Sequence, residues 1–542
     1  MTPPRRRILA GLAGAAAGIA VVTALSRVIG FGRNYVLAHS IGTDCLNTAY
    51  NTANYVPNIL FELVAGGALA GAVVPLLAGH AADGGPQARE HMSRVTSALL
   101  GWVLVVLVPL SLLVAVLAVP IMAALAAGPG SGPACDAGDV VEVGARMLVV
   151  FAPRTIFFGL AVVLYGVLQA HRRYLAPALA PLVSSLMIIV VYLAFVPMAH
   201  GAQKDLTALT RPAELVLSVG TTLAAVAMVA VVAGPFARLG LRIRPTLRFP
   251  EGVAGRARRL AGAGLVLVVM QQLAMLVVIP LANAHGPGMI GAYGYAWAVF
   301  QLPYAVLAVP IATSAFTALS AHRARGEDEA FDDVAARTTR AVLLVTGGAA
   351  GVLAAVATPV ARVFLLDTDT AVAPETLARG IALFAPGLAG YALLTHLGRV
   401  LYAHGRTRPV ALAGVTGWTV VIAAQVALAL NSSAPWVVGM LGLASTAGLT
   451  LAALLLTAVV ARTRGPAALR GLPRTAAAAV LGGLAAYAAG AAVVHALGRD
   501  AGKLASLGVG LLAAVAATAA FALIAYALSS RDLRALLPRA RA

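Results

Sequence analysis

The sequence predicts an all-α polytopic membrane protein of about fourteen transmembrane helices, built as two parallel-related six-helix lobes plus two C-terminal helices. Three observations carry this prediction. Of 542 residues, 60% are hydrophobic and 11% charged, with a mean hydropathy of +0.90, which is more apolar surface than a soluble chain of this length can hide. Apolar runs of spanning length follow one another from end to end. A Phe-Ala-Pro signature also returns at a fixed offset.

A spanning helix needs about 20 mostly apolar residues. The first run, 8–40, follows the basic Met1–Arg7 segment and outlasts the ~7–15 apolar residues of a signal core, so it is read as a retained span. Span two, 47–79, carries Pro57 and a row of asparagines, and span three covers 93–126. Span four, 138–170, opens through Phe151-Ala-Pro153, with spans five and six at 174–198 and 213–236. After a basic interruption come 258–284, 288–321, 334–366, 374–404, 408–431 and 434–461. Two more runs, 474–497 and 504–529, complete the set. Several exceed the minimum length, so tilt and kinks are expected.

The formal net charge of +19 invites a search for an anionic partner. Sorted by topology, it mostly reports orientation. With the N-terminus inside, 28 of the 39 basic residues fall in cytoplasmic segments and six on the opposite side, as the positive-inside rule requires. Both termini are therefore expected in the cytoplasm, and no nucleic-acid partner is expected. The organisation read from this pattern is an N-terminal lobe (1–237), a basic cytoplasmic linker (238–257), a C-terminal lobe (258–462), and a final segment (463–542) holding two helices and a basic tail. The linker is expected to lie on anionic lipids of the inner leaflet. Cys45 and Cys135 fall in short segments between runs. Two cysteines without a spacing motif leave a disulfide open but favour free thiols.

Phe151-Ala-Pro153 opens a helix ending in His171-Arg-Arg173, and Phe384-Ala-Pro386 opens another ending in His404-Gly-Arg406, an offset of 233 residues throughout. These are spans four and ten, separated by an even number of crossings, so the repeats run parallel. A weaker echo relates Pro57 in span two to Pro303 in span eight.

Charges inside apolar spans are costly and mark cavities or partners. Arg27 and Arg33 lie six residues apart in span one. Arg154 follows Ala-Pro in span four, where it could satisfy freed carbonyls or serve a site. Glu62 is read as the internal counter-ion to one of these arginines. Arg146 and Arg399, near span ends, are expected to snorkel to the headgroups. The balance of Arg27, Arg33, Arg154 and Glu62 is +2, which suits an anion and, through guanidinium forks, phosphate oxygens. Asn34, Asn47, Asn51, Asn54 and Asn58 stand beside them. Asn51, Asn54 and Asn58 share one helix face, open either to sugar hydroxyls or to interhelical bonding.

Ser26-Arg-Val-Ile-Gly-Phe-Gly-Arg33, Gly42, Asn54-Tyr-Val-Pro-Asn58, Gly66-Gly-Ala68 and Val74-Pro75 resemble the N-terminal signature of the MurJ/MviN family of lipid II flippases. The likeness continues through the span count, the Phe-Ala-Pro helix and Gln301-Leu-Pro303, and thins after about residue 410. The resemblance implies the multidrug/oligosaccharidyl-lipid/polysaccharide exporter fold in the bacterial cytoplasmic membrane. The implied substrate is lipid II, undecaprenyl-diphosphate carrying a disaccharide-pentapeptide, moved from inner to outer leaflet by alternating access. Ser26, Arg27 and Arg33 match cavity positions that would hold the diphosphate, and Asn34, Asn54, Asn58, Glu62 and Arg154 complete the expected substrate site. Spans thirteen and fourteen would help hold the lipid tail.

The chain departs from the family pattern in places. Asn34 and Thr48 stand where acids are common, Trp297 and Ala298 where Asp-Arg is common, and spans seven and eleven lack the acids that bind sodium in some members. No metal or cofactor is therefore expected. The competing readings are export of another polyprenyl-diphosphate-linked glycan or of an amphipathic drug. Enzymatic glycosyl transfer is disfavoured, because Asp44, Asp136, Asp139 and Glu142 lack ligand spacing. No Walker-type motif supplies ATP. Oligomeric state is left open.

Overall fold

The computed structural model describes residues 3–64, 76–77, 85–126, 135–200, 202–250, 253–366, 371–498 and 502–536, without the side chains of 3–20, 254, 256–264 and 530–536. The described residues are almost entirely helical and divide into two compact units that meet within one helix, at Gln272 and Leu273.

Unit 1 contains α1 (Pro3–Ser40), α2 (Cys45–Phe61), α3 (Pro86–Val116), α4 (Ala118–Ala126), α5 (Ala137–Phe151), α6 (Arg154–Ala170), α7 (Leu175–Phe195), α8 (Arg211–Ala237) and the first part of α9 (Val253–Asn283). Unit 2 continues with the rest of α9, then α10 (Met289–Pro303), α11 (Val309–Ala324), α12 (Asp328–Ala355), α13 (Ala357–Leu365), α14 (Pro374–Phe384) and α15 (Gly387–Ala403). It ends with α16 (Arg408–Leu430), α17 (Ala434–Arg464), α18 (Leu472–Leu497) and α19 (Lys503–Leu536). Twelve described helical segments are long and apolar enough to cross a membrane, and they fall one for one on expected spans three to fourteen. Spans one and two involve residues outside the described set, so fourteen remains the expectation of the sequence.

The Phe-Ala-Pro repeat appears as the same break in both units. Pro153 and Pro386 lack the N–H that would continue the helix, so α5 stops at Phe151 and α14 at Phe384, and a new helix starts at Arg154 and at Gly387. In unit 1, Phe158, Leu164 and Leu168 of α6 pack on Ala225, Met228 and Val232 of α8. In unit 2, α12 and α18 approach closely: a Cβ at Gly351 would stand 2.5 Å from the carbonyl oxygen of Gly483, the small-residue contact that draws helices together where lipid offers no hydrophobic drive. His396 of α15 is fully buried, with Nε2 between Thr339 Oγ1 (3.1 Å) and Thr338 Oγ1 (3.2 Å) of α12.

The linker, expected from its charge to lie on lipid, is held against the helices by its backbone. Residues 241–250 have no regular structure and lie along α3. Arg242 N donates to Ser93 Oγ at 3.2 Å and Arg244 N to Ser97 Oγ at 3.0 Å. The indole of Trp102 donates to the Leu247 carbonyl at 3.0 Å. The register fits: two residues of extended chain advance about 6.6 Å, and the four residues from Ser93 to Ser97 rise about 6 Å. One turn further, a Cβ at Gly101 would stand 2.4 Å from the Thr246 carbonyl oxygen, so only glycine admits the chain there. Leu241 and Phe249 turn into the apolar cluster around Leu99 and Val103. Arg238, Arg242, Arg244 and Arg248 remain exposed.

At the arginine-rich end of unit 2, Arg464 Nη1 and Nε reach Asp328 and Asp332, both at 2.8 Å, and its guanidinium lies over Phe331. The hydrogen bond from Arg464 holds the Asp328 carboxyl below the usual aspartate range. Burial, then the charges of Arg464 and Arg323, push His404 down from the ordinary histidine value.

Candidate substrate-binding site

The site is built where α6 begins. Because the helix restarts after Pro153, Arg154 projects from its first residue into the interior of unit 1, where it is only 4% exposed. Its Nη1 donates to Asn54 Oδ1, and its Nη2 to Asn58 Oδ1 at 3.3 Å. The guanidinium also lies 5.3 Å from the ring centroids of both Phe151 and Phe158, one on each side in sequence at helical spacing. The two amides take the N–H groups and the two rings face the cation with their negative quadrupoles. Arg154 therefore bonds to side chains and not to the carbonyls freed at the break. Its Nε is buried with no partner.

The asparagine row on α2 divides in two. Asn47 Nδ2 donates to the Gly42 carbonyl at 2.5 Å and Asn51 Nδ2 to Asn47 Oδ1 at 2.8 Å, so these two close the start of the helix. Asn54 and Asn58, one and two turns further, turn to Arg154. Below them Tyr50, fully buried, joins Thr221 Oγ1 at 2.8 Å and the Tyr192 hydroxyl at 3.1 Å, tying α2 to α7 and α8. Tyr50, Phe151 and Phe158 were not foreseen as part of the site. The positions of Phe151 and Phe158, three before and four after Arg154, were the available signal.

The remaining expected residues sort into two groups. Arg33 is near enough for its charge to act on Arg154, so two cations share the neighbourhood of Asn54 and Asn58. Arg27 acts electrostatically on Glu62 just beyond α2, and both are exposed. Ser26 and Asn34 lie partly exposed on α1 and make no hydrogen bond to the other six among the described residues. Arg33 and Arg154 are therefore within electrostatic reach of each other, and Arg27 is within reach of Glu62, these groups lying on α1, just beyond α2 and at the start of α6.

Two expectations from the sequence change at the opposite end of unit 1. Cys45 and Cys135 are joined in a disulfide, with Cα atoms 5.6 Å apart. Arg146, expected to snorkel, instead pairs with Glu214: Nη2 reaches Oε2 at 2.9 Å, Nε reaches both oxygens, and Arg211 Nη1 reaches Oε1 at 3.1 Å. The Glu214 side chain is 3% exposed, a buried acid near a span end that the hydropathy pattern concealed.

Unit 2 carries an apolar groove of about 380 Å³ between α12, α14 and α18, lined by Leu343, Gly347, Leu383, Gly483 and Leu484 among others. A second cavity of about 390 Å³, reaching Phe521 of α19, adjoins the same helix α12. Both accept hydrocarbon and offer almost no polar atoms.

Comparison with known proteins bears on the family and the fold. Residues 37–507 match the family described as lipid II flippase MurJ. A lipid II flippase MurJ of Burkholderia cenocepacia is 27% identical over 384 residues, 70% of this chain and 71% of that protein. A probable lipid II flippase MurJ of Rhizobium meliloti is 27% identical over 420 residues, 75% of this chain and 72% of that one. Among solved structures, a lipid II flippase MurJ in an inward closed conformation shares the fold with a TM-score of 0.72 at 18% identity, over 95% of this chain and 99% of that chain. A multidrug resistance transporter of the MATE family, inward-facing, shares it at 0.64 and 14%, over 82% and 95%.

Proposed function

The chain belongs to the MurJ family of lipid II flippases, and from that premise we propose that it moves lipid II from the inner to the outer leaflet of the bacterial cytoplasmic membrane by alternating access. The observation that carries this reading is the membrane-embedded cluster of Arg33, Arg154, Asn54 and Asn58. A substrate that crosses with a diphosphate needs fixed cations in a place water does not dominate, and guanidinium groups match phosphate oxygens by geometry as well as charge. Arg27 and Arg33, with Ser26, take the diphosphate. Arg154 is held off direct contact by its two amides and sets the field. Glu62 keeps Arg27 from binding the anion irreversibly. The groove on α12, α14 and α18 takes the prenyl chain, so head and tail each have a surface of matching polarity.

Orientation has two supports. The arginine count supports cytoplasmic termini. The disulfide Cys45–Cys135 lies at the other end of the helices, where an oxidising exterior would preserve it. The exposed arginines of the strapped linker then meet anionic lipids of the inner leaflet. Transport makes and breaks no bond in the substrate, so no catalytic residue is assigned.

The test is complementation of a strain depleted of its lipid II flippase. The wild-type gene restores growth, and Arg27→Ala or Arg33→Ala inserts normally but does not. Full growth with both arginines removed would sink the site; failure of the wild-type gene, with correct insertion, would shift the substrate to another polyprenyl-diphosphate-linked glycan.

A further inference from the structure

The internal repeat permits a position-by-position comparison of the two units. At the offset of 233 residues, Phe151, Arg154 and Phe158 correspond to Phe384, Gly387 and Tyr391; at the offset that relates Pro57 to Pro303, Asn51, Asn54 and Asn58 correspond to Trp297, Phe300 and Tyr304. The contacts follow the same correspondence. In unit 1, residues 54 and 58 meet Arg154 between Phe151 and Phe158. In unit 2, Phe300 lies 5.5 Å from Phe384 and 6.1 Å from Tyr391, and Tyr304 lies 4.5 Å from Tyr391, centroid to centroid. Trp297 adds contacts to Phe300 at 5.2 Å, Phe384 at 5.6 Å and Tyr391 at 6.4 Å.

The asparagine positions of one unit are thus aromatic in the other, and the guanidinium position is glycine. No cation can be restored at Gly387, since a Cβ there would stand 2.8 Å from Thr446 Oγ1. Phe300 and Phe384 are fully buried and form the back of the cluster, while Trp297, Tyr304 and Tyr391 are partly exposed. Tyr304 donates to Thr395 Oγ1 at 3.1 Å, and Thr395 to the Tyr391 carbonyl at 2.9 Å, which fixes the rings against one another. Tyr304 opens a π-helical turn, Tyr304–Ala308. Within that turn Val306 is 51% exposed, the kind of side chain that faces lipid, whereas the Tyr304 ring is only partly exposed and its hydroxyl is held by Thr395.

We propose that Trp297, Tyr304 and Tyr391 form a carbohydrate subsite, stacking on the pyranose rings of the glycan carried by the polyprenyl-diphosphate substrate. This rests on the reading of the chain as a lipid II flippase and assigns the head of that substrate a second, uncharged surface. A pyranose presents C–H groups of slight positive charge on its faces and hydroxyls on its rim. Aromatic faces are negative, and the Tyr304 hydroxyl, its proton given to Thr395, keeps a lone pair that can accept from the rim. The contacts described for these rings are with other aromatic rings and with Thr395, so the subsite suits sugar better than phosphate.

The experiment compares binding of two probes to purified protein, undecaprenyl diphosphate and the same lipid bearing the disaccharide-pentapeptide. Trp297→Ala is expected to weaken the glycan-bearing probe about tenfold, the scale of a lost aromatic stack, and to leave undecaprenyl diphosphate within about twofold. Trp297→Phe retains most of the affinity. Arg33→Gln weakens both probes alike. Should Trp297→Ala not fold, Tyr391→Leu is judged by the same ratio. Equal weakening of the two probes, or of neither, overturns the subsite alone. Wild-type protein that binds neither probe overturns the flippase reading and the subsite with it.

Discussion

Arg154 and Asn58, 96 positions apart in the chain, meet inside unit 1 through an Nη2–Oδ1 hydrogen bond of 3.3 Å. The contact exists because Pro153 restarts the helix at Arg154 and because Asn58 lies one turn beyond Asn54 on the same face of α2.

That geometry makes the fork, and not the charge alone, the feature to test. Arg154→Lys keeps a cation but cannot reach two amides from one plane, so it is expected to lose transport about as fully as Arg154→Gln in complementation. Asn54→Ala or Asn58→Ala removes an acceptor from a buried cation and should cost about 1.5–3 kcal/mol, read as a lower Tm in detergent. Wild-type growth with Arg154→Lys would show that charge suffices.

The disulfide predicts both stability and sidedness. Its cysteines are 90 residues apart, and a loop of that size corresponds to about 4–5 kcal/mol in the chain-entropy limit. Reduction, or Cys45→Ser, should lower Tm markedly. In intact cells a membrane-impermeant maleimide should label the protein only after reduction. Labelling that requires permeabilised cells would reverse the assigned orientation.

The linker strap predicts a protease phenotype. Gly101→Val forces the Thr246 carbonyl away from α3 and should release the segment that Ser93 and Ser97 hold. Trypsin cleavage at Arg242 and Arg248, the strap arginines not followed by proline, should then accelerate several-fold in inside-out vesicles, with little change at other sites. An unchanged cleavage rate would mean that the segment is held elsewhere.

What the sequence made legible follows from how far each signal reaches. Spans three to fourteen were readable because hydropathy is a local sum, and the Phe-Ala-Pro repeat because proline imposes the same break wherever it stands. The partners of Arg154 were not readable: Asn54 and Asn58 were singled out by periodicity, but their meeting with residue 154 is a tertiary fact. Glu214 escaped notice because one acid at a span end scarcely changes a hydropathy average. The linker was read as a lipid-facing basic segment since its arginines dominate the composition, while its backbone bonds to Ser93 and Ser97 depend on register alone.

Acid should loosen the arginine-rich end of unit 2 only at low pH. The hydrogen bond from Arg464 depresses the Asp328 carboxyl below the ordinary aspartate value of 3.8. A depressed folded value contributes stability that is present above the unfolded value and is lost as pH falls through the folded one. The Tm difference between wild type and Asp328→Asn should therefore stay constant from about pH 8 to 5, begin to shrink only below about pH 4, and vanish once pH has fallen below the depressed folded value. A difference that changes near neutrality would assign the effect to another group, such as His404.

Removing a fully buried histidine ordinarily destabilises, yet His396→Leu should be tolerated. The hydroxyls of Thr338 and Thr339 donate to the carbonyls of Val334 and Ala335, both at 2.7 Å, so their oxygens offer only lone pairs to His396. Nε2 must then carry the proton and donate, and Nδ1 is left as a bare acceptor, buried and without a partner. Leucine removes that unsatisfied atom and leaves both threonine protons committed as before. Because the cost of an orphaned buried acceptor, about 1–3 kcal/mol, exceeds the net worth of one shared hydrogen bond, about 1 kcal/mol, the variant should match or exceed the wild-type Tm. A large loss would mean that Nδ1 has an acquired partner in the membrane, such as an ordered water held with the buried Nη1 of Arg399.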